Sequence, residues 1–366
     1  MLAPPQLNES WSLGSLRVPN RVLLAPLAGI GNWFVRLQAK RYGAGMAVSE
    51  MVSSHAIRYR NEKTCTEMLR IDPREREPHP PALAAVGGPV SIQLFGEDPD
   101  TMRSAAAYVV AAGADAIDIN MGCPVPKVRK TGAGAALLDA PDLAVAVARA
   151  TVEGAGEADD GRRGIPVTVK LRSGVRPGDE SGYELAHRLV GEAGVAAIGF
   201  HPRSAAVHHK GAPDYELAAR LVDSLPAPVI LTGGMDDAHS ARAAFAATGA
   251  AAVMLARGAL GNPWLFTELL EDPAHPRELR PSREDVLSEL HWTMQCAIEH
   301  LGEQRATRYL RKFYPWYVPR LQLQPQAARS LQEALQSAAT LTLVRELLAA
   351  CDRARDAVCT PSALTV

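Results

Sequence analysis

Residues 90–122, VSIQLFGEDPDTMRSAAAYVVAAGADAIDINMG, hold two short apolar runs separated by one segment of helical composition. The runs, 90–96 (VSIQLFG) and 116–122 (AIDINMG), are rich in β-branched residues and each ends in Gly. Strands covered on both faces of a parallel sheet read in this way, because neither face is left to water. Between them, 102–112 has the composition of a helix. The same unit recurs in both directions along the chain. Upstream lie 22–28 (VLLAPLA) and 45–51 (GMAVSEM). Downstream lie 166–173 (PVTVKLRS), 196–201 (AAIGFH), 228–233 (PVILTG) and 252–257 (AVMLAR), with helical segments at 141–152 and 238–248 among them. Strand and helix alternating eight times over ~250 residues predict a TIM (β/α)8 barrel. An open doubly wound sheet uses the same alternation, but no GxGxxG follows the first run, which disfavours the dinucleotide fold.

The pattern changes after 271–281 (EDPAHPRELRP), whose prolines mark the expected domain boundary. Beyond it Ser282 and Asp285 read as an N-cap with an acidic first turn. Val286, Leu290, Met294 and Ile298 then recur on one face, and 331–348 reads as one helix. The expected organisation is a barrel over 1–270 and a small helical domain over 280–355. Two further segments read as loops: 72–89, expected to be an exposed excursion, and 153–164, leading into the fifth strand.

With 366 residues, 47% of them hydrophobic, the chain supports one large core and a smaller one. No run of ~18 apolar residues is present, so no membrane span is expected, and residues 1–10 lack the pattern of a signal peptide. Cys65, Cys123, Cys296, Cys351 and Cys359 are five in number and show no CxxC spacing, so neither a disulfide framework nor a metal site is expected. A reducing cytoplasm and a monomer fit best. The formal net charge of −1 speaks against a uniformly basic nucleic-acid surface. Basic residues do cluster locally, however: Lys127, Arg129 and Lys130, and again Arg305, Arg308, Arg311 and Lys312.

Barrel chemistry sits where strands end, on the C-terminal face, and those positions are polar here. Asn120 and Cys123 end the fourth run, Lys170 and Arg172 the fifth, His201 and Arg203 the sixth; Gly233 and Gly234 end the seventh and Arg257 and Gly258 the eighth, while Gln93 lies in the third. A lysine inside VTVKL needs a partner, because an unpaired buried ammonium is costly. A flavin answers the whole set. Lys170 would stand by the N1/O2 edge of its ring, Gln93 and Asn120 by its pyrimidine edge, and the late glycines would admit backbone amides to its phosphate, with Arg257 adding charge. The alternative is that these polar groups satisfy one another inside the barrel. Cys123 has two readings as well. A lone cysteine is commonly a small buried apolar side chain, but this one follows a strand and precedes three cations, which favour a thiol able to react or give up a proton. His208 and His209 read equally well as surface residues.

The stretch 120–138, NMGCPVPKVRKTGAGAALL, resembles the active-site motif of the tRNA-dihydrouridine synthase family. The likeness extends over nearly the whole chain: 25–29 (APLAG), 49–51 (SEM), Gln93, 169–174 (VKLRSG), 258–266 (GALGNPWLF) and 311–317 (RKFYPWY) fall in the family's order. The resemblance implies an FMN-dependent oxidoreductase that reduces uridine to 5,6-dihydrouridine in tRNA with NADPH as hydride donor. It further implies that Pro26, Leu27 and Ala28 line the FMN ring and that Gln93 and Lys170 bind its polar edge. Cys123 would be the proton donor, and Thr232, Gly233, Gly234, Ala256 and Arg257 would hold the phosphate end. His201 and Asn120 complete the expected cofactor set. Lys127, Lys130, Arg172, Arg203, Arg305 and Arg308 are the expected substrate contacts. Four departures stand out: Thr232-Gly233-Gly234 where the family has Asn-Gly-Asp, His201-Pro202-Arg203-Ser204 where it has His-Gly-Arg-Thr, Gly31-Asn32 ahead of Trp33 and Arg36 where it has an Asp near an arginine, and a longer loop at 72–89. Rival readings are a flavin barrel acting on a free pyrimidine, similar to dihydroorotate dehydrogenase, and a non-catalytic RNA-binding protein.

Overall fold

The computed structural model describes residues 5–77, 87–156, 164–271 and 279–353. The chain forms two compact units: Met1–Gly258 with Leu265–Pro276, and Ala259–Trp264 with Arg277–Val366. The expected boundary loop 271–281 and the loop 153–164 fall largely outside the described residues, as does Cys359.

The first unit is a closed barrel of eight parallel strands: β3 (Val22–Leu24), β4 (Met46–Ser53), β5 (Val90–Phe95), β6 (Ala116–Asn120), β7 (Val167–Arg172), β8 (Ala197–His201), β9 (Val229–Thr232) and β10 (Ala252–Leu255), with β10 pairing β3. Each expected strand is present. The first is shorter than its apolar run, because Pro26 has no N–H for the ladder. Ala25 makes the last bond there, to the Leu255 carbonyl at 2.8 Å, and the chain then turns through Gly31 N–H to Leu27 O.

Two strands precede the barrel that the alternation did not announce. β1 (Trp11–Leu13) and β2 (Leu16–Val18) form an antiparallel hairpin. Gly14 takes φ 57° in its turn, a backbone position that suits glycine. Trp11, Leu13 and Val18 pack with Leu23, Met46, Ala197, Ile230 and Ala252 in one buried cluster, sealing the end of the barrel where these strands begin. Trp11 adds a hydrogen bond from its indole N–H to Asn20 O, 3.0 Å.

The start of the 72–89 loop is only partly exposed: Pro73, Arg76 and Glu77 are, but Asp72 and Glu75 are buried. Asp72 caps a short 3-10 turn, Pro73–Arg76, and that turn carries Glu75 into the interior. There Glu75 accepts two 2.8 Å bonds from Arg36, on the helix Trp33–Arg41, and both side chains are fully buried. Arg36 also donates to Gly31 O and Arg70 O. Lys40, one helical turn further on, donates to Glu75 O and Gly88 O. Residues 78–86 of the loop lie outside the described residues.

In the second unit Ser282 and Asp285 form a reciprocal capping box on the helix Arg283–Leu301. The shorter helices Glu303–Leu310 and Tyr314–Tyr317 follow. The single helix expected over 331–348 is two, Pro325–Ser337 and Leu341–Arg353. Thr340 explains the break: its hydroxyl accepts from Leu343 N–H, so it caps a new helix instead of continuing the old one. Arg311 donates to Ala338 O at the joint, so it serves the helical fold itself. Gly261, at φ 60°, lies so close to the Trp316 backbone that a Cβ would fall 2.6 Å from its carbonyl oxygen.

Removing one partner of a buried ion pair leaves the other charge stranded. Glu75→Ala is expected to lower unfolding stability by about 3–5 kcal/mol, read by denaturant titration. A loss below about 1 kcal/mol, the range of an exposed pair, would show that Arg36 is satisfied by carbonyls alone.

Candidate active site

Strand alternation brings polar side chains together at the upper end of the barrel. Asp118 and Asn120 are two residues apart on β6 and share a face; Thr168 and Lys170 do the same on β7. Register sets Asp118 beside Thr168 and Gln93, and Asn120 beside Lys170. Asp118 Oδ1 accepts from the Thr168 hydroxyl at 2.6 Å, and Oδ2 accepts from Gln93 Nε2 at 2.6 Å. Gln93 Oε1 accepts from Asn120 Nδ2 at 3.0 Å. Asn120 Oδ1 in turn accepts from the backbone N–H groups of Gly122, 3.2 Å, and Cys123, 2.9 Å. The anticipated alternative, polar groups satisfying one another, therefore holds for this part of the set. β4 contributes through a register shift between Val48 and Met51. It leaves the Ser49 hydroxyl to accept from Gln93 N–H, and it aims Glu50 at the Gly29 N–H, 2.8 Å.

Lys170 lines the cavity, with Gly199 as its neighbour in register. Burial is the main influence on its ammonium and brings it down to about 8, with Arg172 adding to the effect and Asp118 opposing it. Burial likewise pushes the Asp118 carboxyl up to about 6, against the donors Thr168 and Gln93 and the charge of Lys170. His201 is buried among the cations Lys170, Arg172 and Arg203, and its imidazole is held neutral far below the ordinary range. Its Nε2 lies 3.2 Å from Arg203 Nη1, so a neutral ring accepts there and carries its proton on Nδ1. His209 stacks on His201 with ring centroids 5.9 Å apart, and burial, then Arg257, lowers it to about 4. It lines the cavity although it is exposed.

Arg172 is buried, and burial lowers it to about 10. It donates to Gly122 O at 2.9 Å, Ser204 O at 3.1 Å and His208 O at 2.7 Å, tying the Cys123 turn to the loop after β8. Arg203 donates twice to Gly211 O within that loop. Both arginines, expected as substrate contacts, line the cavity but spend donors on carbonyls. Cys123 is half-buried at the end of β6, with Gly134 behind it: a Cβ on Gly134 would lie 2.9 Å from Cys123 O. In the run that follows it, Arg129 faces Asp139 at 3.9 Å.

At the far side Gly233 and Gly234 take φ 101° and 78°. A Cβ on Gly233 would stand 2.5 Å from the His201 ring; one on Gly234 would stand 2.7 Å from the Tyr215 hydroxyl. Tyr215 fixes this turn by donating to Gly233 O at 2.9 Å. The Thr232 hydroxyl is spent on Met254 O, 3.0 Å. What remains is a cradle of bare backbone, which suits the phosphate end of a ligand.

These residues surround a cavity of about 320 Å³. Pro26, Leu27, Ala28, Gln93, Asn120, Lys170, His201, Thr232, Gly233, Gly234, Ala256 and Arg257, expected to hold a cofactor, all line it, and so does Cys123. Lys127 and Lys130 do not; they are exposed on and just after the short helix Pro126–Arg129. Arg305 and Arg308 are exposed on the helix Glu303–Leu310 of the second unit. Asp118, Thr168 and Tyr215 escaped the sequence reading. The first had a visible signal, an aspartate in a fully apolar run two residues before Asn120.

Comparison with known proteins bears on this geometry. The family model "Dihydrouridine synthase (Dus)" matches residues 23–355. tRNA-dihydrouridine synthase B of Vibrio vulnificus is 34% identical over 309 residues, 84% of this chain and 88% of that one. The Serratia marcescens protein of that name is 36% identical over 310 residues, 84% and 85% of the two chains. A probable tRNA-dihydrouridine synthase of Rhodobacter capsulatus is 36% identical over 337 residues, 91% and 96% of the two chains. Among solved structures, a 2-naphthoyl-CoA reductase complex aligns with TM-score 0.52 at 12% identity, covering 72% of this chain and 52% of its own. A variant of NCR from Zymomonas mobilis aligns with TM-score 0.50 at 19% identity, covering 75% and 93%. These two likenesses concern the barrel fold.

The lowered Lys170 has a measurable consequence. Between about pH 8 and the ~10.4 of an unfolded lysine, the unfolded chain binds more protons than the folded one. This residue therefore makes ligand-free stability rise with pH across that window. Lys170→Met is expected to flatten the rise in denaturant unfolding measured at steps through it. Identical slopes in variant and wild type would mean that Lys170 keeps its charge throughout.

Proposed function

The chain belongs to the dihydrouridine synthase family, a family of oxidoreductases, and from that premise we propose that it reduces uridine in tRNA to 5,6-dihydrouridine with FMN and NADPH. The observation that carries this reading is the position of Cys123. Its thiol stands on the wall of the cavity whose other walls are the Lys170–Gln93–Asn120 group and the Gly233–Gly234 cradle.

The residues present fit FMN. Gly233 and Gly234 line the cavity in left-handed conformations without side chains, so their backbone would face a phosphate. Arg257 lies beside it, and Pro26, Leu27 and Ala28 offer a wall to a flat ring. Lys170 would hold the ring edge on which negative charge develops, with Gln93 and Asn120 at the pyrimidine edge. His201, held neutral, adds a hydrogen-bonding group without a second full charge. When bound, FMN supplies the two-electron chemistry that these side chains lack, with NADPH as the source of electrons.

The protein's own part is to place the base and move a proton. A uridine inside tRNA must leave its stack before it can enter a cavity of this kind. Cys123 then acts as general acid, giving its proton to C5 of uracil as the C5–C6 double bond is lost. Arg172 and Arg203 shape the wall against which the base rests. Lys127 and Lys130 flank the thiol turn and would meet phosphates. We assign 1–270 as the catalytic domain and 280–355 as the tRNA-binding domain, with Arg305 and Arg308 among its phosphate contacts. Such contacts read shape and backbone more than sequence.

Cys123→Ala separates the half-reactions. It is expected to retain FMN and NADPH oxidation while dihydrouridine formation falls ~10²–10⁴-fold, measured in tRNA lacking the modification. Equal yields from variant and wild type would remove Cys123 from the reaction. Replacing Arg305 and Arg308 together with Ala is expected to weaken tRNA binding and to reduce the salt slope by about 1 per lost phosphate contact. FMN content should not change. Wild-type affinity and slope in the double variant would move the RNA surface elsewhere.

A further inference from the structure

We propose that Tyr215 is a positioning residue for the phosphate end of the ligand. Its hydroxyl holds the Gly233–Gly234 peptide with the carbonyl drawn away from the cavity, so that the N–H of Gly234 is left to face it. The identity of the ligand rests on the proposed function; the hold on the peptide does not.

Residues 233–236 all line the cavity. Among the described residues, their four backbone N–H groups donate no hydrogen bond to the protein. Backbone N–H groups held away from bulk water are nearly always paired. Four in succession, left open on a cavity wall, suit a group that offers several acceptor oxygens, as a phosphate does.

A trans peptide is planar and sends its C=O and its N–H in opposite directions. The orientation of the Gly233–Gly234 peptide therefore decides whether this turn shows the cavity a donor or an acceptor. The two residues do not decide it themselves. Neither has a Cβ, and glycine populates positive and negative φ about equally, so this peptide can rotate between its two Cα atoms at little steric cost. The bond from the Tyr215 hydroxyl to Gly233 O, 2.9 Å, is the one hydrogen bond made by this peptide among the described residues. Tyr215 does not line the cavity, so it draws the carbonyl outward. Rotated the other way, the carbonyl oxygen would meet the oxygens of a phosphate.

Glycine at 234 is what admits the hydroxyl: a Cβ there would lie 2.7 Å from it and 2.6 Å from Pro213 Cγ. The start of the helix Tyr215–Ser224 fixes the ring in turn. Asp214 caps that helix by accepting from Leu217 N–H at 2.9 Å, and its own N–H donates to Pro202 O at 2.8 Å. Burial raises the phenol above its ordinary range, so it stays a donor at neutral pH. Arg203 and Arg257 bring positive charge to the same cavity. Tyr215 brings direction.

The test compares FMN with riboflavin, which has the same ring and no phosphate. Full-length protein freed of flavin is titrated with each, and binding is read from flavin fluorescence; dihydrouridine formation is not involved. Tyr215→Phe keeps the ring and removes the donor. Its Kd for FMN is expected to rise about fivefold, the equivalent of about one hydrogen bond. Its Kd for riboflavin is expected to stay within about twofold of wild type, less than one such bond is worth, which also shows that the ring site is folded. An unchanged Kd for FMN would overturn the proposal. So would an equal weakening of both flavins, because Tyr215 would then serve the fold and not the phosphate. Either of these results leaves the functional reading standing. A wild-type protein that binds neither flavin would overturn both.

Discussion

A closed parallel barrel has to fill its own interior, and here the filling changes character along the axis. At the end where the strands begin, Leu23, Met46, Ala197, Ile230 and Ala252 meet the hairpin residues Trp11, Leu13 and Val18 and exclude water. Toward the other end the inward positions become Thr168, Asp118, Gln93, Asn120 and Lys170. Polar groups so deeply placed are tolerable only when they satisfy one another. Asp118 and Lys170 are each drawn toward neutrality by burial and held toward charge by the other. The apolar end gives the barrel its stability, and the polar end gives it a rigid set of donors and acceptors.

The site follows from that division. Rigid strands carry Gln93, Asn120, Lys170 and His201, while loops carry Cys123, Arg203 and the glycines at 233 and 234. Arg172 links the two loops nearest the thiol through three carbonyls. Where the seventh strand departs from the family pattern, Thr232 turns inward to Met254 O and the turn beyond it is fixed by Tyr215. The backbone of Gly233 and Gly234 stands on the cavity wall there.

Much of this was legible in the sequence because the barrel's periodicity is local. Each apolar run gave a strand, and polar residues at the strand ends, Asn120, Lys170 and His201, with Gln93 inside the third run, stood out against them. What escaped notice depends on contacts between distant segments. WSLGSLRV is too short to announce a hairpin without the core it covers. DPRER reads as a loop until Arg36 claims Glu75, 39 residues away in sequence. Thr340 inside 331–348 is a cap only if the chain turns there. Asp118 was visible as a polar residue in an apolar run, but its role depends on Gln93 and Thr168, which only the register reveals.

The central claim is that this barrel holds a flavin and uses it on uridine in RNA. The most direct measurement is to purify the full-length chain, record its visible spectrum, and supply NADPH and tRNA transcribed without modifications. The account predicts a yellow protein with about one FMN per chain and a uridine that gains two hydrogens. A colourless protein that binds no FMN at micromolar concentration, or a flavoprotein that leaves every uridine unreduced while consuming NADPH, would contradict it.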